Sequence, residues 1–236
     1  MKMSKLHPKI YFFAFVLMMS FAKAQIPSGV YISEVENVRH ELKIDKGYLT
    51  HTIYKTNPAE FVKTLGGFYT ADGYNIKINL EFNSDFEKDS LKVMEIPYSF
   101  NADNITLQLE KAVTLEKKQP LEQDLDGQWL FATRGPDTGQ ERRGEENPRK
   151  TLKFLLDGRF QWIAYQTETM RFSGTGGGSF TSKDGVYTEN IEFFSRDNNR
   201  VGASLEFNYE LKGDDWHHTG QNSKGEPMYE IWSKRN

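Results

Sequence analysis

The chain reads as an all-β protein built from two tandem antiparallel meander barrels, and three observations predict this. Its 236 residues carry 14% aromatics and 19 glycines, a composition that favours many short strands over helices. From Gly29 onward, short runs of alternating apolar and polar residues follow one another, separated by turn dipeptides. One text also occurs twice. Leu42–Thr56, LKIDKGYLTHTIYKT, returns as Leu152–Thr167, LKFLLDGRFQWIAYQT, with Gly47, Tyr54 and Thr56 lying 111 residues before Gly158, Tyr165 and Thr167.

The N-terminus is set aside first. Met1–Lys9 is basic, Ile10–Phe21 is apolar, and Ala22-Lys23-Ala24 is a small-x-small cleavage signal. Residues 1–24 are therefore expected to be a signal peptide, with Gln25 opening the mature chain. The apolar run is short of the roughly 20 residues that span a bilayer, so no transmembrane segment is expected in the mature chain. Losing Lys2, Lys5, Lys9 and Lys23 takes the formal charge from −3 to −7. An acidic chain without a basic stripe is a poor nucleic-acid binder. With no cysteine, neither disulfides nor thiolate metal sites are available. A cysteine-free exported protein suits the periplasm or outer surface of a Gram-negative bacterium.

In order, the strands are expected at Gly29–Glu36, Leu42–Asp45, Tyr48–Lys55, Gly67–Thr70 and Asn75–Phe82, with a helical turn over Asn57–Lys63. Met94, Ile96, Tyr98 and Phe100 alternate in the next strand, and Ile105, Leu107 and Leu109 follow a turn at Asn101–Asn104. Lys117–Asp126 is charged, contains Pro120 and lacks alternation, which marks a linker. After it the order restarts. Gly178 and Thr181 answer Gly67 and Thr70, and Leu205, Phe207, Tyr209 and Leu211 answer Met94, Ile96, Tyr98 and Phe100, again 111 apart. The expected domains are thus 25–116 and 127–236, joined by 117–126. Sheet closure is attractive because it removes exposed edges.

Gly127-Gln128-Trp129 at the start of the second meander, with Arg235 just after its last strand, resembles the lipocalin or calycin pattern. Residues 127–236 are similar to the lipocalin-like domains of unknown function in secreted Gram-negative proteins. The resemblance implies that Gly127, Trp129 and Arg235 close the barrel, the tryptophan stacking under the arginine. It also makes the charged segment Arg134–Lys150 a candidate lid. The first half departs from the pattern, with Tyr31 in place of the tryptophan and no arginine after its last strand.

Polar residues on the inward face of a small barrel must be paired or functional. Tyr187, Glu189, Ile191 and Phe193 share one face, as do Trp216 and His218. Glu189 and His218 are expected to point inward, where their first-copy counterparts, near Ile76 and Leu107, are apolar; the first copy's only comparable polar residue is His51. Phe160, Trp162, Glu189, Tyr209, Trp216 and His218 are the candidate ligand-binding residues. GTGGG at Gly174–Gly178 lacks the Lys-Ser/Thr of a phosphate loop, and Ser179 has no nucleophile elbow. His217-His218 are strand neighbours and cannot both reach one metal ion. No cofactor, metal site or catalytic residue is assigned. The leading expectation is a secreted non-enzymatic binding protein that holds a small, mainly apolar molecule in the second barrel. The alternatives are a structural module with filled barrels that docks a protein partner, and an acid–base enzyme using Glu189 and His218.

Overall fold

The computed structural model describes residues 26–222 and 224–235, so the expected signal peptide, residues 1–24, lies outside the described residues. The described residues form two closed eight-stranded antiparallel barrels, each a meander in which every strand pairs with its sequence neighbours. The first comprises β1 (Gly29–Val35), β2 (Val38–Asp45), β3 (Tyr48–Thr56), β4 (Ala59–Ala71), β5 (Asn75–Asn83), β6 (Val93–Asn101), β7 (Asn104–Gln108) and β8 (Ala112–Lys117). The second comprises β9 (Gly127–Arg134), β10 (Arg149–Leu156), β11 (Arg159–Gln166), β12 (Arg171–Lys183), β13 (Val186–Phe194), β14 (Ser204–Lys212), β15 (Asp215–Gln221) and β16 (Pro227–Lys234). No helix among the described residues is long and apolar enough to cross a membrane.

The repeat is structural to the level of single atoms. The β2–β3 and β10–β11 hairpins turn through Lys46-Gly47 (φ 48° and 76°) and Asp157-Gly158 (φ 49° and 72°), the paired positive φ values of a type I′ turn. Both copies carry a bulge on β4–β5 or β12–β13, at Gly66/Gly67 and Gly177/Gly178. A Cβ on Gly67 would stand 2.0 Å from the carbonyl oxygen of Asn79, and one on Gly178 would stand 2.0 Å from that of Asn190. Only glycine lets the strands approach so closely, and so both copies keep it.

Two sequence expectations need correction. Asn57–Lys63 is no helical turn: Asn57-Pro58 is a two-residue connection and Ala59 already begins β4, whose Phe61 stacks on Phe172 and Phe193 of the other barrel. Phe193 does not share the face of Tyr187, Glu189 and Ile191. The bulge reverses the alternation at Glu192, so Phe193 faces out, 4.6 Å from Tyr54. Leu152, Phe154 and Leu156 alternate along β10 and share a face, which packs against Tyr48 and Phe82 of the first barrel rather than lining the interior.

The barrels meet through these outward faces, and the contact is reciprocal. Glu192 accepts hydrogen bonds from Tyr54, Arg39 and Arg159; Glu81, its counterpart 111 residues earlier, accepts them from Tyr165, Arg235 and Tyr48. Between these two clusters the fully buried Gln161 side chain donates to Thr64 and Thr175 and accepts from Thr52. Arg159 also reaches the buried Glu41, which is held by Lys43 as well. Met170, from the β11–β12 turn, joins the apolar core of the first barrel.

Candidate functional site

That first-barrel core is mainly aliphatic: Leu42, Ile44, Leu49, Ile76, Ile78, Leu80, Ile96, Ile105, Leu107 and Leu115 fill it, and the buried His51 on the same face as Leu49 meets His40 at 3.2 Å. The strand registers place the second copy on the first. Leu42 corresponds to Lys153, Ile78 to Glu189 and Leu107 to His218; because Leu107 faces Val113 as His218 faces Glu230, Val113 corresponds to Glu230. Four apolar interior positions have become Lys, Glu, His and Glu. Around them the smaller aliphatics Ile76, Ile96, Ile105 and Leu115 have become Tyr187, Phe207, Trp216 and Trp232.

These groups form a layered site. At its lower end Leu125, Trp129, Leu155, Phe160, Phe180, Tyr187 and Trp216 pack into one apolar cluster. Above it Lys153 lies 2.8 Å from Glu189, both side chains only 7% exposed, and the Tyr187 hydroxyl donates to the same carboxylate oxygen at 2.7 Å. The Lys153 ammonium also sits 4.8 Å from the ring centre of Trp216, 4.9 Å from that of Tyr187 and 5.1 Å from that of Trp232, an aromatic cage about a buried cation. His218 lies edge-on to Phe207 at 4.5 Å and 3.8 Å from Glu230, too far for a hydrogen bond. Among the described residues neither ring nitrogen of His218 has a hydrogen-bond partner, nor does Nε1 of Trp216. Burial and the Lys153 charge push the His218 imidazolium down to about 4, so the ring is neutral near pH 7. Burial raises the Glu230 carboxyl, yet it lies below the usual carboxylate range, with the Lys153 and Arg134 charges among the causes.

At the other end, a cavity of about 600 Å³ opens between β9, β10 and β16, walled by Phe131, Trp232, Glu230, Thr151 and four arginines, Arg134, Arg142, Arg143 and Arg149. It exists because β9 and β10 separate: their ladder runs only from Gly127–Leu155 to Leu130–Leu152. Residues 135–148 wedge into the gap, with the Arg143 N–H donating to the Ala132 carbonyl. The segment is pinned by Arg142 to Asp215 and by Glu145 to Arg235, both at 2.6 Å. Rather than hanging free as a lid, it forms one wall.

The expected site residues divide accordingly. Phe160, Glu189, Trp216 and His218 face the interior as expected from their alternation, and the half-buried Trp162 joins the same cluster, edge-on to Phe194 at 5.4 Å. Glu189 and His218 do not hydrogen-bond each other; Glu189 is engaged by Lys153 and Tyr187 instead. Tyr209 is directed to the linker, donating to Asp124. His217 turns to the opposite face from His218 and pairs with Tyr229 at 2.8 Å.

Arg235 does not close the barrel. It faces the first barrel, over Tyr48 and Phe68, because the residue before it already faces inward and neighbours on a strand alternate. Lys234 takes the expected role, 5.6 Å above the Trp129 ring, while Trp129 Nε1 donates to the Leu125 carbonyl and Gly127 holds a φ of 138° that favours glycine. The first barrel does the same with other residues. Lys117 lies 5.9 Å from the Tyr31 ring, and the Tyr31 hydroxyl donates to the Pro27 carbonyl, also four residues back.

Lys153, Glu230, Trp232 and Phe131 were not legible as site residues from strand patterning in the second copy alone. The repeat held the signal for Lys153: in the first copy Leu42 and Ile44 alternate with Glu41 and Lys43, and at the common offset their inward face becomes Lys153 and Leu155. No family model matches the chain, and no curated protein matches it either.

Proposed function

We propose that this is an exported, lipocalin-like binding protein whose second barrel takes up a small molecule while the first serves as scaffold. One observation carries the reading: four interior positions that are apolar in the first copy are Lys153, Glu189, His218 and Glu230 in the second, and Glu230 lines the 600 Å³ cavity. Placing polar groups inside a barrel costs stability, so a copy kept only for packing gains nothing from the exchange. The partnerless nitrogens of His218 and Trp216 support it further, since buried polar atoms rarely go without a partner and these are left for water or a bound molecule to meet. Aromatic walls with a few placed polar groups are the usual make-up of small-molecule sites.

Phe131 and Trp232 offer the apolar contact and Glu230 the polar one, with His218 buried behind Glu230. An acid–base reaction through Glu189 and His218 is disfavoured, because the carboxylate is engaged elsewhere and the two share no hydrogen bond. The scaffold role of the first barrel is favoured by its mainly aliphatic filling, where His40 and His51 satisfy each other, and by Met170 packing into it. The basic, apolar and small-residue order at residues 1–24 supports export.

Native mass spectrometry of the whole chain, purified without denaturant from the exported fraction of its producing cells, tests this. A bound small-molecule mass that His218→Ala releases, with far-ultraviolet circular dichroism unchanged, is the expected result. A chain that carries no added mass, and gains no thermal stability from a library of hydrophobic and amphipathic compounds, overturns it.

A further inference from the structure

The cavity at the end of the second barrel is unusual in its charge. Four arginines and two carboxylates, Glu141 and Glu230, wall it, although the chain as a whole is acidic. Two of the arginines are already engaged: Arg142 lies 2.6 Å from Asp215, and Arg134 lies 3.9 Å from Glu230. Among the described residues, the guanidinium groups of Arg143 and Arg149 have neither a carboxylate within 4.0 Å nor a hydrogen-bond acceptor. Arg143 is the more telling. Its guanidinium carbon lies 4.2 Å from the centre of the Phe131 ring, and Phe131 in turn meets Trp232 edge-to-face at 5.5 Å. A guanidinium keeps its proton at any ordinary pH, so its charge must be met by water or by an anion. Stacked on a ring and crowded by Arg149 and Arg134, this one holds five N–H donors that no protein group uses.

The arginines arrive with the segment that makes the cavity. In the first barrel the equivalent connection is the two-residue turn Glu36-Asn37, and no separate wall forms; in the second, residues 135–148 intervene and bring Arg142 and Arg143 with them. A concave space of this size suits a small molecule better than a protein or nucleic-acid surface.

Resting on the binding role proposed above, we infer that the ligand is a flat small molecule bearing an acidic group: a carboxylate, sulfonate or phosphate held by Arg143 and Arg149, with its ring system against Phe131 and Trp232. Charge-assisted, bidentate bonding from arginine is the strongest fixed recognition available for such groups.

Two fluorescent probes of similar shape separate the charge from the apolar contact: anilinonaphthalene sulfonate, an anion, and N-phenylnaphthylamine, which is neutral. With the whole chain near pH 7, the anion is expected to bind one-to-one and at least about tenfold more tightly than the neutral probe. Arg143→Gln and, separately, Arg149→Gln should each weaken the anion about tenfold or more while leaving the neutral probe within about twofold. Raising salt from about 50 to about 500 mM should weaken only the anion. Tryptophan emission identical to that of the parent protein confirms that each variant is folded, and Arg149→Gln, whose side chain stacks on no ring, serves if Arg143→Gln misfolds. Equal binding of both probes, or an anion affinity that neither substitution lowers, overturns the assignment of an acidic ligand while leaving a binding role standing. Failure of both probes to bind overturns this inference, and the compound library and bound-mass measurement then decide the binding role by themselves.

Discussion

Lys153 and Glu189 lie 2.8 Å apart with side chains 7% exposed, where the first barrel has Leu42 and Ile78. Lys153→Met keeps most of the side-chain volume but leaves the Glu189 carboxylate buried with only the Tyr187 hydroxyl beside it. Breaking a buried pair from one side costs about 3–5 kcal/mol. Glu189→Leu leaves the ammonium to its aromatic cage, which returns roughly 2 kcal/mol, so the loss is expected to be smaller, about 2–3 kcal/mol. The double variant removes both charges together and restores the apolar character of the first copy; it should be neutral or more stable than the parent by about 1–4 kcal/mol. The four tryptophans, Trp129, Trp162, Trp216 and Trp232, all belong to the second barrel, so urea unfolding followed by their emission reports that barrel alone. With a urea dependence of roughly 2 kcal/mol per molar, Lys153→Met should lower the midpoint by about 2 M. Single variants that each cost less than about 1 kcal/mol would show that the pair behaves as a solvated one. A double variant no more stable than the singles would refute the premise that the polar layer replaces packing rather than improving it.

Other consequences can be measured alongside. Because the folded barrel holds His218 neutral down to about pH 4 while the unfolded chain takes up that proton near pH 6.5, the unfolded state binds more protons in between. Stability is therefore full above about pH 6.5 and falls by roughly 3 kcal/mol towards pH 4, a slope that His218→Leu should remove from urea midpoints measured across that range. Arg159→Ala deprives the buried Glu41 of one of its two cations and Glu192 of its strongest partner. It should cost about 3–5 kcal/mol and split one calorimetric transition into two as the barrels uncouple; an unaltered single peak would show that the interface does not couple them. Gly178→Ala drives a methyl group into the Asn190 carbonyl, a backbone contact that cannot turn aside. A loss of about 3 kcal/mol is expected for the second barrel, with Gly67→Ala doing the same to the first by circular dichroism; tolerance at both sites would contradict the tight bulge.

The sequence by itself determined the local and the repeated. Period-two alternation and the Lys46-Gly47 and Asp157-Gly158 turns define hairpins, because strand pleat and positive φ are properties of a few adjacent residues. The common offset of 111 then makes two copies of one meander, and the inward face of His218 follows from its place beside Trp216. What it could not supply was anything that depends on which face of an alternating strand meets which neighbour. Leu152, Phe154 and Leu156 have the pattern of an interior face, yet they lie between the barrels, because a second barrel offers its neighbour an apolar surface as dry as its own core. The bulge at Glu192 reverses the phase of β13 after Ile191, and Arg235 falls one residue past the position that faces in. The cage around Lys153 joins β10, β13, β15 and β16, residues up to 79 positions apart, and the arginine-walled cavity needs β9 and β10 to part. Both are facts of closure, since only curling the sheet into a cylinder brings those strands round one space.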